Sequence, residues 1–192
     1  TFNLANGDFV AGESITGGGG TDTLILTNAT TIDFSTGTLA TVEALTGSSG
    51  NDTITMTLLQ FAGFSSNFNM GAGTNTLSVT VSGTVDVSAL FTPTVSNVTT
   101  GGMTGSGSDD IVTMIGGQLD GILSGTGILD FGGGTADTLN LTSTSTDLNA
   151  LTDGRLAGLE VISASTAAAA VTITLSSQTE AFTVTGGTSG DT

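Results

Sequence analysis

One stretch recurs along this chain and limits what it can fold into. It is Gly17-Gly18-Gly19-Gly20-Thr21-Asp22-Thr23-Leu24-Ile25-Leu26, a run of glycines, then an acid, then alternating threonine and aliphatic side chains. It returns as Gly71-Ala72-Gly73-Thr74-Asn75-Thr76-Leu77-Ser78-Val79 and as Gly132-Gly133-Gly134-Thr135-Ala136-Asp137-Thr138-Leu139-Asn140-Leu141, and it begins again at Gly186-Gly187-Thr188-Ser189-Gly190-Asp191-Thr192. Glycine suits a tight corner with close backbone approach. Asp or Asn bonds to its own backbone in such a turn. The alternation that follows has the period of a strand with one buried face. A corner and a strand repeated in tandem predict a solenoid.

Half-way copies, Gly50-Asn51-Asp52-Thr53-Ile54-Thr55-Met56 and Gly107-Ser108-Asp109-Asp110-Ile111-Val112-Thr113-Met114, divide each repeat in two. The expected fold is therefore all-β, a parallel β-helix or β-roll-like solenoid of about six stacked coils. Its expected divisions are 1–17, the end of a preceding coil; 18–70, 71–131 and 132–185, three repeat units; and 186–192, the start of a further truncated repeat. Strands are expected at Thr23–Leu26, Thr31–Phe34, Thr53–Met56, Thr76–Val81, Ile111–Met114, Thr138–Leu141 and Val171–Leu175, among others. The segment Asp147–Leu151 reads as a strand or as a short helical turn. Stacking should place Leu24, Leu77 and Leu139 in one internal column. The main rival is an antiparallel sandwich, which would pair Thr23–Leu26 with its sequence neighbour Thr31–Phe34.

Charge narrows the partners. There are 17 acidic residues and one basic residue, Arg155, for a net charge of -16, with no Cys and no His. Such a balance argues against nucleic acid and against anionic membrane surfaces. Mean hydropathy is nonetheless +0.34, which favours a folded chain over disorder. No stretch reads as a transmembrane segment. The missing Cys and His remove the usual nucleophiles and bases near neutral pH, so the expectation is that the chain is not an enzyme.

Acids at repeated glycine corners fit calcium, which takes six to eight oxygen ligands from carboxylates, carbonyls and water. Aligning the repeats gives one column of Asp22, Asn75, Asp137 and Asp191 and another of Asp52 and Asp110, with Asp109 beside it. The candidate Ca2+ ligands are thus Asp52, Asp109, Asp110, Asp22, Asp137 and Asp191. The competing reading is that these residues only cap turns through backbone N–H groups. Asp33, Asp86 and Asp147 read as turn or strand-edge structure. The four methionines read as core filler. Phe61, Phe64 and Phe68 form the densest aromatic patch, either a docking surface or a wider part of the core.

The segments Gly47-Ser48-Ser49-Gly50-Asn51-Asp52-Thr53-Ile54 and Gly105-Ser106-Gly107-Ser108-Asp109-Asp110-Ile111 resemble the glycine- and aspartate-rich repeats of RTX proteins, secreted bacterial proteins whose repeats bind calcium in a parallel β-roll. Leu39–Gly47 and Leu156–Ile162 look like segments of long RTX-like adhesins and surface-layer proteins. The resemblance implies an extracellular location on a bacterial cell surface. It implies a structural segment of a surface layer or cell-surface filament, stabilised by calcium and assembling with further repeats of the same protein or copies of itself, and in contact with cell-surface polysaccharide. The alternative is a rod-like spacer or adhesive module of a giant adhesin. A β-helical polysaccharide-active enzyme ranks lower, since Trp, Tyr and Lys are missing. An ice-binding surface ranks low as well, because the threonines show no regular array in the linear sequence.

Overall fold

The computed structural model describes residues 1–192. Its strands are short, three to five residues in most cases, and alternate buried and half-exposed side chains as the threonine/aliphatic pattern dictates. Every strand ladder is parallel, and ladder partners lie 21 to 27 residues apart: Thr23 faces Ala44, and Ile111 faces Thr138. Strand Thr23–Leu26 runs parallel to Phe2–Leu4 on one side and to Ala44–Thr46 on the other. The antiparallel sandwich is thereby excluded.

The strands form four distinct sheets. One joins Phe2–Leu4, Thr23–Leu26, Ala44–Thr46, Asn67–Asn69 and Thr94–Ser96. A six-stranded sheet joins Thr31–Asp33, Thr53–Thr57, Thr76–Thr80, Thr100–Thr104, Ile128–Asp130 and Leu156–Ala157. A second five-stranded sheet joins Thr84–Asp86, Ile111–Met114, Thr138–Leu141, Val161–Ser163 and Thr183–Thr185, and Ser14–Thr16 pairs with Thr38–Ala40 in a two-stranded one.

Three helices complete a mixed α/β fold: α1 (Leu58–Phe61), α2 (Gly116–Ile122) and α3 (Thr146–Ala150). Thr57 caps α1 and forms a reciprocal pair with Gln60, which satisfies two of the N–H groups a helix start leaves free. The amide of Gln60 then reaches back to the carbonyls of Phe34 and Gly37. Gln118 repeats the device in α2: its Oε1 accepts from Ile115 N–H and its Nε2 donates to the carbonyls of Val87 and Phe91. Ser145 caps α3. The carboxylate of Asp120 on α2 accepts from the Ser145 and Thr146 hydroxyls and from the Asp147 N–H, which fastens the two helices together.

One apolar cluster of 40 buried residues fills the interior between the sheets and helices. Phe61, Phe64 and Phe68 belong to it, packed edge to face with centroids 5.7 and 5.0 Å apart, so the aromatic patch is core and not a docking surface. Met56, Met70, Met103 and Met114 are buried with it. On the outer face of the six-stranded sheet, Thr53, Thr76 and Thr100 stand side by side, as do Thr57, Thr80 and Thr104. Cross-strand threonine pairs of this kind support sheet pairing.

Several expectations are corrected here. The chain is not an all-β solenoid of about six stacked coils, since helices and four distinct sheets of two, five, five and six strands break any uniform coil. The resemblance to RTX repeats, with its β-roll, β-helix and surface-layer descriptors, fails for the same reason. The glycine–acid corner feeds a different sheet as the chain proceeds: the first five-stranded sheet at Thr23, the six-stranded sheet at Thr53 and Thr76, the second five-stranded sheet at Ile111 and Thr138. The sequence repeat does not divide evenly into the spacing between ladder partners, so equal positions in the repeat do not stack. Leu24, Leu77 and Leu139 are all buried, yet they lie in three separate sheets rather than in one column. A surface-layer or filament segment, a rod-like adhesin spacer, and assembly with copies of itself all required identical stacking units. This irregular architecture does not supply them.

Candidate acidic turns

Four of the eight buried polar residues lie at the glycine corners. Asp52, Asn75, Asp110 and Asp137 are each 0% exposed, although an ionised carboxylate is costly to bury without partners. Their partners come in two kinds.

At Asp52 and Asp110 the carboxylate is saturated by donors. Asp52 accepts from the N–H of Thr30 at 2.9 Å, from the N–H of Ser48 at 2.8 Å and from the Ser48 hydroxyl. Asp110 accepts from the N–H of Gly83 at 2.5 Å, from the N–H of Ser106 at 2.6 Å and from the Ser106 hydroxyl. Each carboxylate thus closes its own turn and also holds the backbone one ladder step away. Asp191 does the same with the N–H groups of Val171 and Gly187, which hold its carboxyl below the ordinary range.

Asn75 and Asp137 sit one ladder step beyond. Asn75 Oδ1 accepts the N–H of Asp52 at 2.8 Å, and Asp137 Oδ1 accepts the N–H of Asp110 at 2.6 Å. Their own N–H groups donate onward, to Thr99 Oγ1 and to Glu160 Oε2. The second side-chain atom separates them. Asn75 Nδ2 donates into a nest of carbonyls, those of Met70 at 3.0 Å, Asn97 at 3.1 Å, Ala72 at 3.2 Å and Gly71 at 3.4 Å. The corresponding atom of Asp137, Oδ2, is buried and has no donor. Burial raises the Asp137 carboxyl above its ordinary value. The N–H of Asp110 opposes the shift, and the charges of Glu160, Asp110 and Asp109 add to it.

The remaining candidates are spread out. Asp109 is exposed and accepts from the N–H groups of Thr135 and Ala136. The N–H of Asp22 donates to Glu43, and its carboxylate lies 3.4 Å from the amino group of Thr1. The stacking differs from the alignment: Asp52 meets Asn75 and Asp110 meets Asp137, whereas Asp22, Asn75, Asp137 and Asp191 form no column. No three acidic side chains converge closely enough to hold a metal by themselves.

The sequence reading passed over Gln60, Gln118 and Gln178, spaced 58 and 60 residues apart. Gln178 Nε2 donates to the Leu151 carbonyl, while its buried Oε1 has no partner. The signal available for the first was Thr57-Leu58-Leu59-Gln60, a capping-box pattern. Arg155 is not in a salt bridge with an acid: its Nε donates to the Gly127 carbonyl and its Nη2 to that of Gly125. No helix is long and apolar enough to cross a membrane. No family model matches the sequence, and no curated protein or solved structure matches it.

Proposed function

We propose that this chain is a non-catalytic domain of an extracellular protein whose stability responds to calcium. One observation carries the reading. A surplus of 16 negative charges is packed on a chain whose single guanidinium is spent on backbone carbonyls. Stacked acids without a cation between them repel. Extracellular calcium-binding modules work at dissociation constants of about 10⁻⁴–10⁻³ M, a range suited to carbonyl-rich and lightly charged sites. The non-catalytic part is supported by what the buried carboxylates do: those of Asp52 and Asp110 are occupied by backbone and serine donors and hold turns together. The test is calorimetric titration of calcium chloride into chelator-treated protein, with thermal unfolding alongside. Heat of binding and a raised melting temperature are expected. No heat and no shift at millimolar calcium would overturn the reading.

A further inference from the structure

We propose that Asp137 is a calcium ligand and that the amide of Asn75 occupies, in the related turn, the place the cation takes at Asp137. The inference rests on the calcium reading and assigns it a locus. The two turns correspond bond for bond. Gly71 N–H donates to Asn69 Oδ1 in one, and Gly132 N–H to Asp130 Oδ1 in the other. Ala72 N–H meets the Ser48 carbonyl, and Gly133 N–H meets that of Ser106. Gly71 and Gly132 share a left-handed backbone, with φ of 75° and 78°. Asn97 and Gly158, on the neighbouring strand connection, share another, with φ of 60° and 64°. The carbonyls that surround Asn75 Nδ2 therefore have counterparts in those of Phe131, Gly132, Gly133 and Gly158.

In the first turn an N–H donor satisfies this nest. In the second, a carboxylate oxygen with no hydrogen stands in the corresponding place, fully buried and unpartnered. A buried carboxylate oxygen that no donor meets calls for a positive partner. A hard divalent cation accepts carbonyl and carboxylate oxygens together and tolerates irregular geometry, which describes calcium better than magnesium. The acidic charges of Asp109, Asp110 and Glu160 surround the position and favour a cation further. The chain departs from strict correspondence at two points: Gly158 lacks the side chain with which Asn97 donates to Asn69 Oδ1, and the Asp137 turn is one residue longer, the extra residue, Gly134, lying so close to the carboxylate that a Cβ there would fall 2.4 Å from Asp137 Oδ2. Only glycine leaves that oxygen its room.

The experiment compares wild type, Asp137→Asn and Asn75→Asp by titration of calcium chloride into chelator-treated protein and by melting with and without calcium. Asp137→Asn keeps the Oδ1 acceptor for Asp110 and supplies an amide where the cation sits. The expected results are one equivalent of calcium fewer than wild type and a calcium-free melting temperature at or above that of calcium-free wild type. Asn75→Asp is expected to gain one equivalent. Wild type that binds calcium while Asp137→Asn binds the same number of equivalents overturns this assignment and leaves the calcium reading standing. Wild type that binds none at millimolar concentration overturns both.

Discussion

Asp110 and Asp137 are both fully buried acids, 27 residues apart, joined by a single hydrogen bond, yet they are in opposite situations. Asp110 is met by two backbone N–H groups and a hydroxyl. Asp137 is met by one N–H and leaves an oxygen bare. The difference arises in the turn each residue closes. In the Ser106 turn the backbone presents N–H to the acid; in the Gly132 turn, a left-handed glycine marks a backbone whose counterpart around Asn75 presents carbonyls. The same side chain is thus a completed cap in one corner and an unsatisfied acceptor in the next. Side-chain identity alone does not assign a role; the sense of the surrounding peptide groups does.

The contrast is open to attack by mutation, first where the effect is largest. Asp110→Ala strips acceptors from Gly83 and Ser106 and leaves part-buried donors unpaired, at about 1–3 kcal/mol each. A loss of roughly 3–5 kcal/mol in urea unfolding is expected, and a loss below about 1 kcal/mol would show that the cap is dispensable. The glutamines repeat the contrast on a smaller scale. Gln118→Ala removes three hydrogen bonds and should cost roughly 2–3 kcal/mol, whereas Gln178→Ala removes one and should cost about 1 kcal/mol or less. Equal losses would mean that the unpaired Gln178 Oε1 carries no information about the strength of the tie.

Asp137→Asn should run the other way. In calcium-free buffer at neutral pH it should stabilise by about 1 kcal/mol, since one hydrogen bond is gained and a buried charge is lost. A destabilisation there would remove the distinction between the two acids. The smallest effect is the pH dependence of that gain. The folded carboxyl of Asp137 titrates above its unfolded value, so its favourable contribution is complete below the unfolded value, near 3.9, and is lost as pH rises through the folded one. The advantage of Asp137→Asn over calcium-free wild type should therefore shrink as pH falls and level off below about pH 4, as followed by melting temperature across a pH series.

Most strands were legible in the sequence, although Val171–Leu175, expected as one, forms none. Thr23–Leu26, Ile111–Met114 and Thr138–Leu141 place an apolar residue at every second, buried position, and all three are strands with those bounds. The helices were not. Leu58-Leu59-Gln60-Phe61 is too short for a helical period to show, and Gly116-Gly117 has poor helix propensity that only tertiary packing overrides. Strand Thr100–Thr104 was hidden by Gly101 and Gly102, which press against the backbone of Ile122 and Ile128 where no larger residue fits. Around Asp147 the helical alternative holds, because Ser145 caps the turn and Asp147 sits in its first residues. Among the acids, the corner positions were legible but their stacking was not. The repeat slips against the ladder spacing, so a linear alignment brings together residues that fold apart and separates Asp110 from Asp137, which meet. The regular threonine rows on the six-stranded sheet escaped notice for the same reason.

The glutamine ties of α1 and α2 have a consequence that the acidic corners lack. A primary amide carries no charge and has no proton to gain or lose between mild acid and mild base, so the grips of Gln60 on Phe34 and of Gln118 on Val87 are indifferent to acidity, ionic strength and chelators. The buried carboxylate of Asp137, whose titration is displaced by its surroundings, does answer to acidity. The molecule is therefore held by two kinds of fastener with different sensitivities: the charged corner at Asp137 shifts with acidity, while the amide ties of Gln60 and Gln118 do not.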